Sequence, residues 1–174
     1  MDSSPNILPI RIWPDPVLGA KASEVEAFTP ELVTLAERMI KTMYQADGVG
    51  LAAPQVGHSI RMFVADPREN EEPAPMVFVN PRIHLQGELD SLEEGCLSIP
   101  DIRVQVRRPG FARISAQDLQ GNPFEVESED FASRVWQHEY DHLEGVLIID
   151  RMNPRDRLAN RKALKLLKSS AEGS

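Results

Sequence analysis

One five-residue stretch constrains this chain more than any other: His138-Glu139-Tyr140-Asp141-His142. On an α-helix, residues four apart share a face, so both imidazoles can reach one cation. Glu139, beside the first histidine, can then touch water on that cation without being a ligand itself. The spacing predicts a helix over about 130–143, with Gly145 as the stop just beyond it. Chance and a purely structural metal site are the alternatives to a catalytic centre at this point.

The other elements are expected to surround that helix. An N-terminal helix follows Thr29, a good N-cap, with Pro30 in its first turn. Its apolar stripe is Leu32, Leu35, Ala36, Met39, Ile40 and Met43, and Asp47-Gly48 ends it. Before it, Pro5, Pro9, Pro14 and Pro16 resist helix, so an extended segment is expected. The glycine-rich stretch 48–57 follows neither regular period. Strand-like runs lie at 60–65, 76–79, 83–85, 102–106, 112–118 and 124–126, separated by Pro73, Pro81, Pro109-Gly110 and Gly121-Asn122. A further strand is expected at 146–149 and a last helix over about 154–168. The sum is an α+β fold: mostly antiparallel β-sheet packed around the central histidine-bearing helix, with an N-terminal and a C-terminal helix. At 174 residues one domain is expected, with 1–150 catalytic and 151–174 a basic helix and polar tail appended to it.

A catalytic site of this kind wants a third protein ligand and one position left for water. No histidine follows His142, and Glu144 and Glu172 are the only later glutamates. Glu144 lies on a different helical face and Glu172 in the polar tail. Cys96, the only cysteine, is the better candidate, since a thiolate binds first-row metals strongly. A lone cysteine taken by itself can equally be a small buried apolar residue.

Its surroundings bear on that choice. Cys96 lies in Glu94-Gly95-Cys96-Leu97-Ser98, and Gly48-Val49-Gly50-Leu51-Ala52-Ala53-Pro54-Gln55 lies upstream. With the histidine motif, these resemble the three signature motifs of peptide deformylases, in that family's order. The resemblance extends to the flanking Gln137 and to Leu143-Glu144-Gly145-Val146.

The resemblance implies hydrolysis of the N-formyl group from N-formylmethionyl termini of new polypeptides, with release of formate. It makes Cys96, His138 and His142 the ligands of one divalent ion, Fe2+ in cells, with Zn2+ or Ni2+ as substitutes. Water on the ion attacks the formyl carbon, and Glu139 serves as general base and then acid. The Gln55 side-chain amide and the Leu97 backbone N–H stabilise the oxyanion. Val49 and Gly50 resemble the wall and peptide-binding edge of a methionine pocket, and Glu94 and Gly95 are grouped with the substrate-binding residues. Phe131 and Val135 are expected to add to that pocket, with core packing as the alternative. Arg103 is expected to meet the peptide chain. Asp141 is expected to pair with Arg108 and so fix the helix behind the ligands. The orientation of Arg134, four residues before His138, is open.

Charge separates the tail from the body. The formal net charge is −8, yet the segment from Arg151 to Lys168 carries +6, leaving −14 on the remainder. On one continuous helix Arg157, Arg161, Lys165 and Lys168 form a stripe, with Ala159, Ala163, Leu166 and Leu167 forming another that can pack on the body. Deformylases with such a terminal helix imply ribosome contact, and the alternative is a solvated basic face. No apolar run approaches the roughly 20 residues of a membrane span. Residues 1–14 lack a basic region followed by an apolar core, and a lone cysteine suits a reducing compartment, so a cytoplasmic monomer is expected. Two other readings remain: an endopeptidase built on the same motif, disfavoured by the missing downstream ligand, and a metal-stabilised ribosome-binding module, disfavoured by the presence of Glu139 and Gln55.

Overall fold

A computed structural model describes residues 6–173. The expectations for 1–5, Pro5 included, and for Ser174 at the end of the polar tail lie outside the described residues. The N-terminal segment runs extended against the glycine-rich stretch, with Arg11 N–H donating to the Gln55 carbonyl and Trp13 N–H to the Ser98 carbonyl. Pro16, expected to resist helix, instead opens a short 3-10 helix, Pro16–Gly19, where its missing N–H costs nothing.

Helix α1, Pro30–Gln45, starts where its cap predicts, with the Thr29 hydroxyl accepting from Leu32 N–H. Five strands follow: β1 Gly50–Ala52, β2 Met62–Ala65, β3 Met76–Cys96, β4 Ile99–Gln117 and β5 Pro123–Ser128. They form one antiparallel sheet in the order β1-β2-β3-β4-β5. Helix α2, Phe131–Leu143, carries the histidine motif, followed by α3 Ile148–Arg151, α4 Pro154–Ala159 and α5 Arg161–Glu172. This is the expected α+β architecture. None of the helices among the described residues is long and apolar enough to cross a membrane.

Several expected boundaries moved. The runs at 76–79 and 83–85 merge into β3, and those at 102–106 and 112–118 merge into β4. Pro81 and Pro109-Gly110 are absorbed rather than turned: register shifts at Val79/Arg82 and Gln86/Leu89 take up the extra residues, with Gly87 at φ +98°. The run expected as a strand at 146–149 is loop and the start of α3. An apolar run this short does not distinguish strand from buried helix. Here the Asp150 carboxylate accepts from Leu147 N–H and favours the turn, while Leu147, Ile148 and Ile149 are buried. The expected single terminal helix is two, broken at Asn160. That break resets the helical phase, so Leu164 and Leu167 pack on the body while Leu166 and Leu158 stay exposed.

Three apolar clusters hold these elements. One joins α2 to the sheet through Phe63, Phe78, Ile114, Trp136 and Leu143. A second seats α1 on β1 and β2, and a third packs α3 under β4 through Ile102, Val104, Val106 and Ile148. The histidine-bearing helix therefore packs on the sheet, with Ala52 of the glycine-rich motif among the residues it meets.

Candidate metal and active site

Helix α2 delivers both histidines from a firmly terminated segment. Its N-terminus is capped from a distance, by Glu69 Oε1 accepting from Ala132 N–H. Its C-terminus closes with Val146 N–H donating to the Asp141 carbonyl and Gly145 N–H to the His142 carbonyl. Gly145 sits at φ +75°, and a Cβ there would lie 2.6 Å from the Gly19 carbonyl oxygen, so only glycine fits. Buried Arg61 adds a further clamp, donating to the Leu143 carbonyl at 3.0 Å and to Glu144 Oε1 at 3.2 Å.

Cys96, at the end of β3, meets that helix. Its Sγ lies 3.4 Å from His142 Nε2, and one donor atom each from Cys96, His138 and His142 all fall within 4.8 Å of one another. A tetrahedral ion with bonds of about 2.0–2.3 Å needs donors spaced on this scale. One thiol and two imidazoles are a donor set for a first-row divalent ion. Burial holds the His142 imidazolium well below its usual range, which favours the neutral form that ligates. Two buried atoms, Glu139 Oε1 and His142 Nδ1, have no hydrogen-bond partner among the described residues. An orphaned carboxylate oxygen beside two ligand imidazoles is what a site completed by an ion and its water leaves open.

Behind the donors lies a connected ionic network. Glu94 Oε1 accepts from His138 Nδ1 at 3.0 Å and from Arg108 Nη2 at 3.0 Å; Oε2 accepts from Arg108 Nε at 2.7 Å and Arg134 Nη1 at 2.6 Å. Burial alone would raise the Glu94 pKa, but His138 and the Arg108 guanidinium hold it well below the ordinary carboxylate range. Arg108 also donates to Asp141 Oδ2 at 2.9 Å, and Arg151 of α3 donates to Asp141 Oδ1 at 2.8 Å. The Arg108 pair with Asp141 is thus present, with Arg151 as an additional partner the sequence did not single out. Arg134, open in the sequence, turns inward to Glu94 and to the Val106 and Asp90 carbonyls.

A cleft of about 620 Å³ opens onto the donors. Val49, Gly50 and Gln55 line it from the first motif, Glu94 to Leu97 from the second, and Phe131, Val135, His138 and Glu139 from α2. Arg103 lines its rim, where it pairs with exposed Glu93. Asp47, Pro100, Asp101 and Ile102 also line the cleft and were not singled out in the sequence, since nothing in their spacing marks them. Gly50 is required for space: a Cβ there would strike the Glu139 carboxylate. Gln55 is buried, and its Oε1 accepts from Ala52 N–H at 2.9 Å. That fixes the amide the other way round, with Nε2 3.1 Å from Ser98 Oγ and 3.6 Å from Cys96 Sγ. Ser98 lies within the second motif, and that position is the sequence signal for its contact with Gln55. Burial pushes the Glu139 carboxyl up to about 7, and a cation between its neighbours acts in the opposite sense.

Comparison with known proteins points to one family. Residues 7–158 match the polypeptide deformylase family model. Peptide deformylase of Thermotoga maritima is 48% identical over 156 residues, covering 89% of this chain and 93% of that protein. The Mesorhizobium japonicum enzyme is 45% identical over 170 residues, covering 96% and 97%. The crystal structure of Arabidopsis thaliana peptide deformylase 1B in complex with an inhibitor superposes with a TM-score of 0.91 at 39% identity, covering 95% of this chain and 93% of that one. A cysteine and two histidines converging on one point, in a chain this similar to these enzymes over nearly its whole length, place it in the peptide deformylase family, the metal-dependent hydrolases that remove the N-formyl group from nascent peptides.

Proposed function

We propose that this chain hydrolyses N-formylmethionyl termini with Cys96, His138 and His142 as the ligands of one divalent ion and Glu139 as the proton carrier. The observation that carries the reading is the convergence of those three donors beside an unpartnered Glu139 oxygen at the floor of one cleft. The ion supplies Lewis acidity and makes water nucleophilic near neutral pH. Glu139 accepts a proton from the attacking water and delivers it to the departing amine as the formyl C–N bond breaks, releasing formate. The Gln55 Nε2 amide, pinned by Ala52 and Ser98, and the Leu97 N–H donate to the formyl oxygen as it gains charge. Glu94 orients His138 through Nδ1, because both its oxygens are occupied by protein side chains; Arg108 and Asp141 brace that arrangement.

Val49 and Gly50 form one side of the methionine pocket and Phe131 with Val135 the other; Gly95 and Arg103 border the path of the following peptide. Residues 1–150 make up the catalytic domain, with 151–174 as its basic appendage, acting as a cytoplasmic monomer. The exposed Arg161, Lys165 and Lys168 of α5 form the surface that meets ribosomal RNA, while Arg157, before the break at Asn160, donates to the Ile149 carbonyl at 3.2 Å. Fe2+ is the ion in cells, with Zn2+ or Ni2+ able to occupy the same donors. Incubation with formyl-Met-Ala-Ser, alongside metal analysis of anaerobically prepared protein, tests the core of this reading. Formate release that requires the ion is expected. Cleavage of internal peptide bonds, or no formate from metal-loaded protein, refutes it.

A further inference from the structure

The loop between β2 and β3 touches segments on both sides of the cleft. Asp66 closes this loop: its N–H donates to the Val49 carbonyl at 2.8 Å. Its buried carboxylate accepts from Arg68 N–H at 2.9 Å, Ala74 N–H at 3.1 Å and the Tyr44 hydroxyl at 2.7 Å. Residues 66–74 are thereby tied into a ring fastened to the end of α1. Two side chains then leave the ring in different directions. Arg68, held at φ +60°, reaches Asp47 at 3.1 Å, directly before Gly48-Val49-Gly50. Glu69 caps Ala132 N–H in the first turn of α2, beside Phe131 and one turn before Val135.

Neither residue lines the cleft, and neither touches a metal donor. Yet one is attached to each flank: Arg68 to the Val49 side and Glu69 to the Phe131 side. We infer that the 66–74 loop sets the width of the methionine pocket, with Arg68 and Glu69 as positioning residues that hold its two walls at a fixed separation. The inference rests on the proposed assignment of Val49, Phe131 and Val135 to that pocket. A pocket discriminates by fit, and one methylene in a well-shaped apolar site is worth about 10- to 200-fold. A wall released by a fraction of an ångström therefore costs selectivity before it costs fold.

The test is Arg68→Ala/Glu69→Ala in the metal-loaded protein. Both side chains are at the surface, and the Asp66 closure is left intact. Formylated tripeptides whose first residue is Met, Ala or a longer unbranched side chain are compared. The expected result is a rise in KM for the Met substrate with kcat little changed, and a Met-over-Ala preference narrowed by about threefold or more. Metal content and melting temperature should stay close to the parent's. Glu69→Gln, which still offers an acceptor to Ala132 N–H, should behave as the parent does. Unchanged KM and preference in the double variant overturn the inference, as does equal loss in the Glu69→Gln protein. Val49→Ala separates the two layers of the argument. If it alters the preference while the double variant does not, the loop's role fails and the pocket assignment stands. If neither alters it, the pocket assignment fails as well.

Discussion

Arg108 offers the most demanding test of how the site is held. Its guanidinium is almost fully buried and makes three charge-assisted contacts: Nε to Glu94 Oε2 at 2.7 Å, Nη2 to Glu94 Oε1 at 3.0 Å, and Nη1 to Asp141 Oδ2 at 2.9 Å. Arg108→Met keeps the length and removes the charge. Breaking a buried ion pair from one side costs about 3–5 kcal/mol, because it strands the other partner in low dielectric. Here the stranding is partial. Glu94 keeps Arg134 and His138, and Asp141 keeps Arg151. The loss should therefore fall at the lower end, about 3 kcal/mol, which for a chain of this length lowers the melting temperature by about 6–12 °C. Adding Glu94→Gln removes the carboxylate whose Arg108 contacts are already lost, so the double variant should be more stable than the two separate losses imply, with coupling of about 1–3 kcal/mol. Urea unfolding of the parent, both single variants and the double variant measures the cycle. A loss below about 1 kcal/mol for Arg108→Met, or strict additivity in the cycle, would refute the claim that the network behind the histidines is energetically connected. Competition with a chelator should also show metal affinity lowered by about 10- to 100-fold, through His138.

Further expectations follow from the same geometry. Glu139→Gln should retain the ion but lower kcat by about 100-fold or more, measured as formate release from protein of verified metal content. Gly50→Ala places a methyl group against the Glu139 carboxylate, so it should depress kcat more than it raises KM in steady-state assays. Acid should weaken the 66–74 loop. Burial alone would raise the Asp66 pKa, but hydrogen bonds from Tyr44, Arg68 and Ala74 hold it below its ordinary value. A carboxylate depressed in the folded state contributes stability above its unfolded pKa of about 4 and loses it as pH falls toward the folded value. Denaturation from pH 7 to pH 3 should accordingly show a loss that Tyr44→Phe makes smaller, with a parallel cost of about 1.5–3 kcal/mol at neutral pH. Removing residues from Arg155 onward should abolish salt-sensitive co-sedimentation with ribosomes while leaving formate release intact.

The sequence by itself determined the elements whose signals are local. Helix α1 could be read from Thr29, Pro30 and a stripe at spacings of three and four, and α2 from its motif and Gly145, because caps and helical period act within a few residues. The three motifs also group Cys96, His138, His142, Glu139 and Gln55 into one site through their resemblance to one family. Where local signals were weak or contradictory, the reading failed. Pro81 and Pro109-Gly110 mark turns in isolation, yet cross-strand pairing carried β3 and β4 through them. The apolar run at 146–149 fits strand or helix equally, and burial under β4 beside an Asp150 cap settled it.

Beyond the expected pair of Arg108 with Asp141, only tertiary structure decided which charges meet. Glu94 and Arg134 are 40 residues apart, and Glu94 and His138 are 44 apart. No periodicity encodes such pairs. A buried guanidinium must find carboxylates wherever the chain brings them, since leaving it unpaired in low dielectric costs more than folding can spare. The same holds for Glu69 at the start of α2 and Arg68 at Asp47: their roles arise from where β2 and β3 place the intervening loop, a position set by packing of the whole sheet rather than by the residues of the loop.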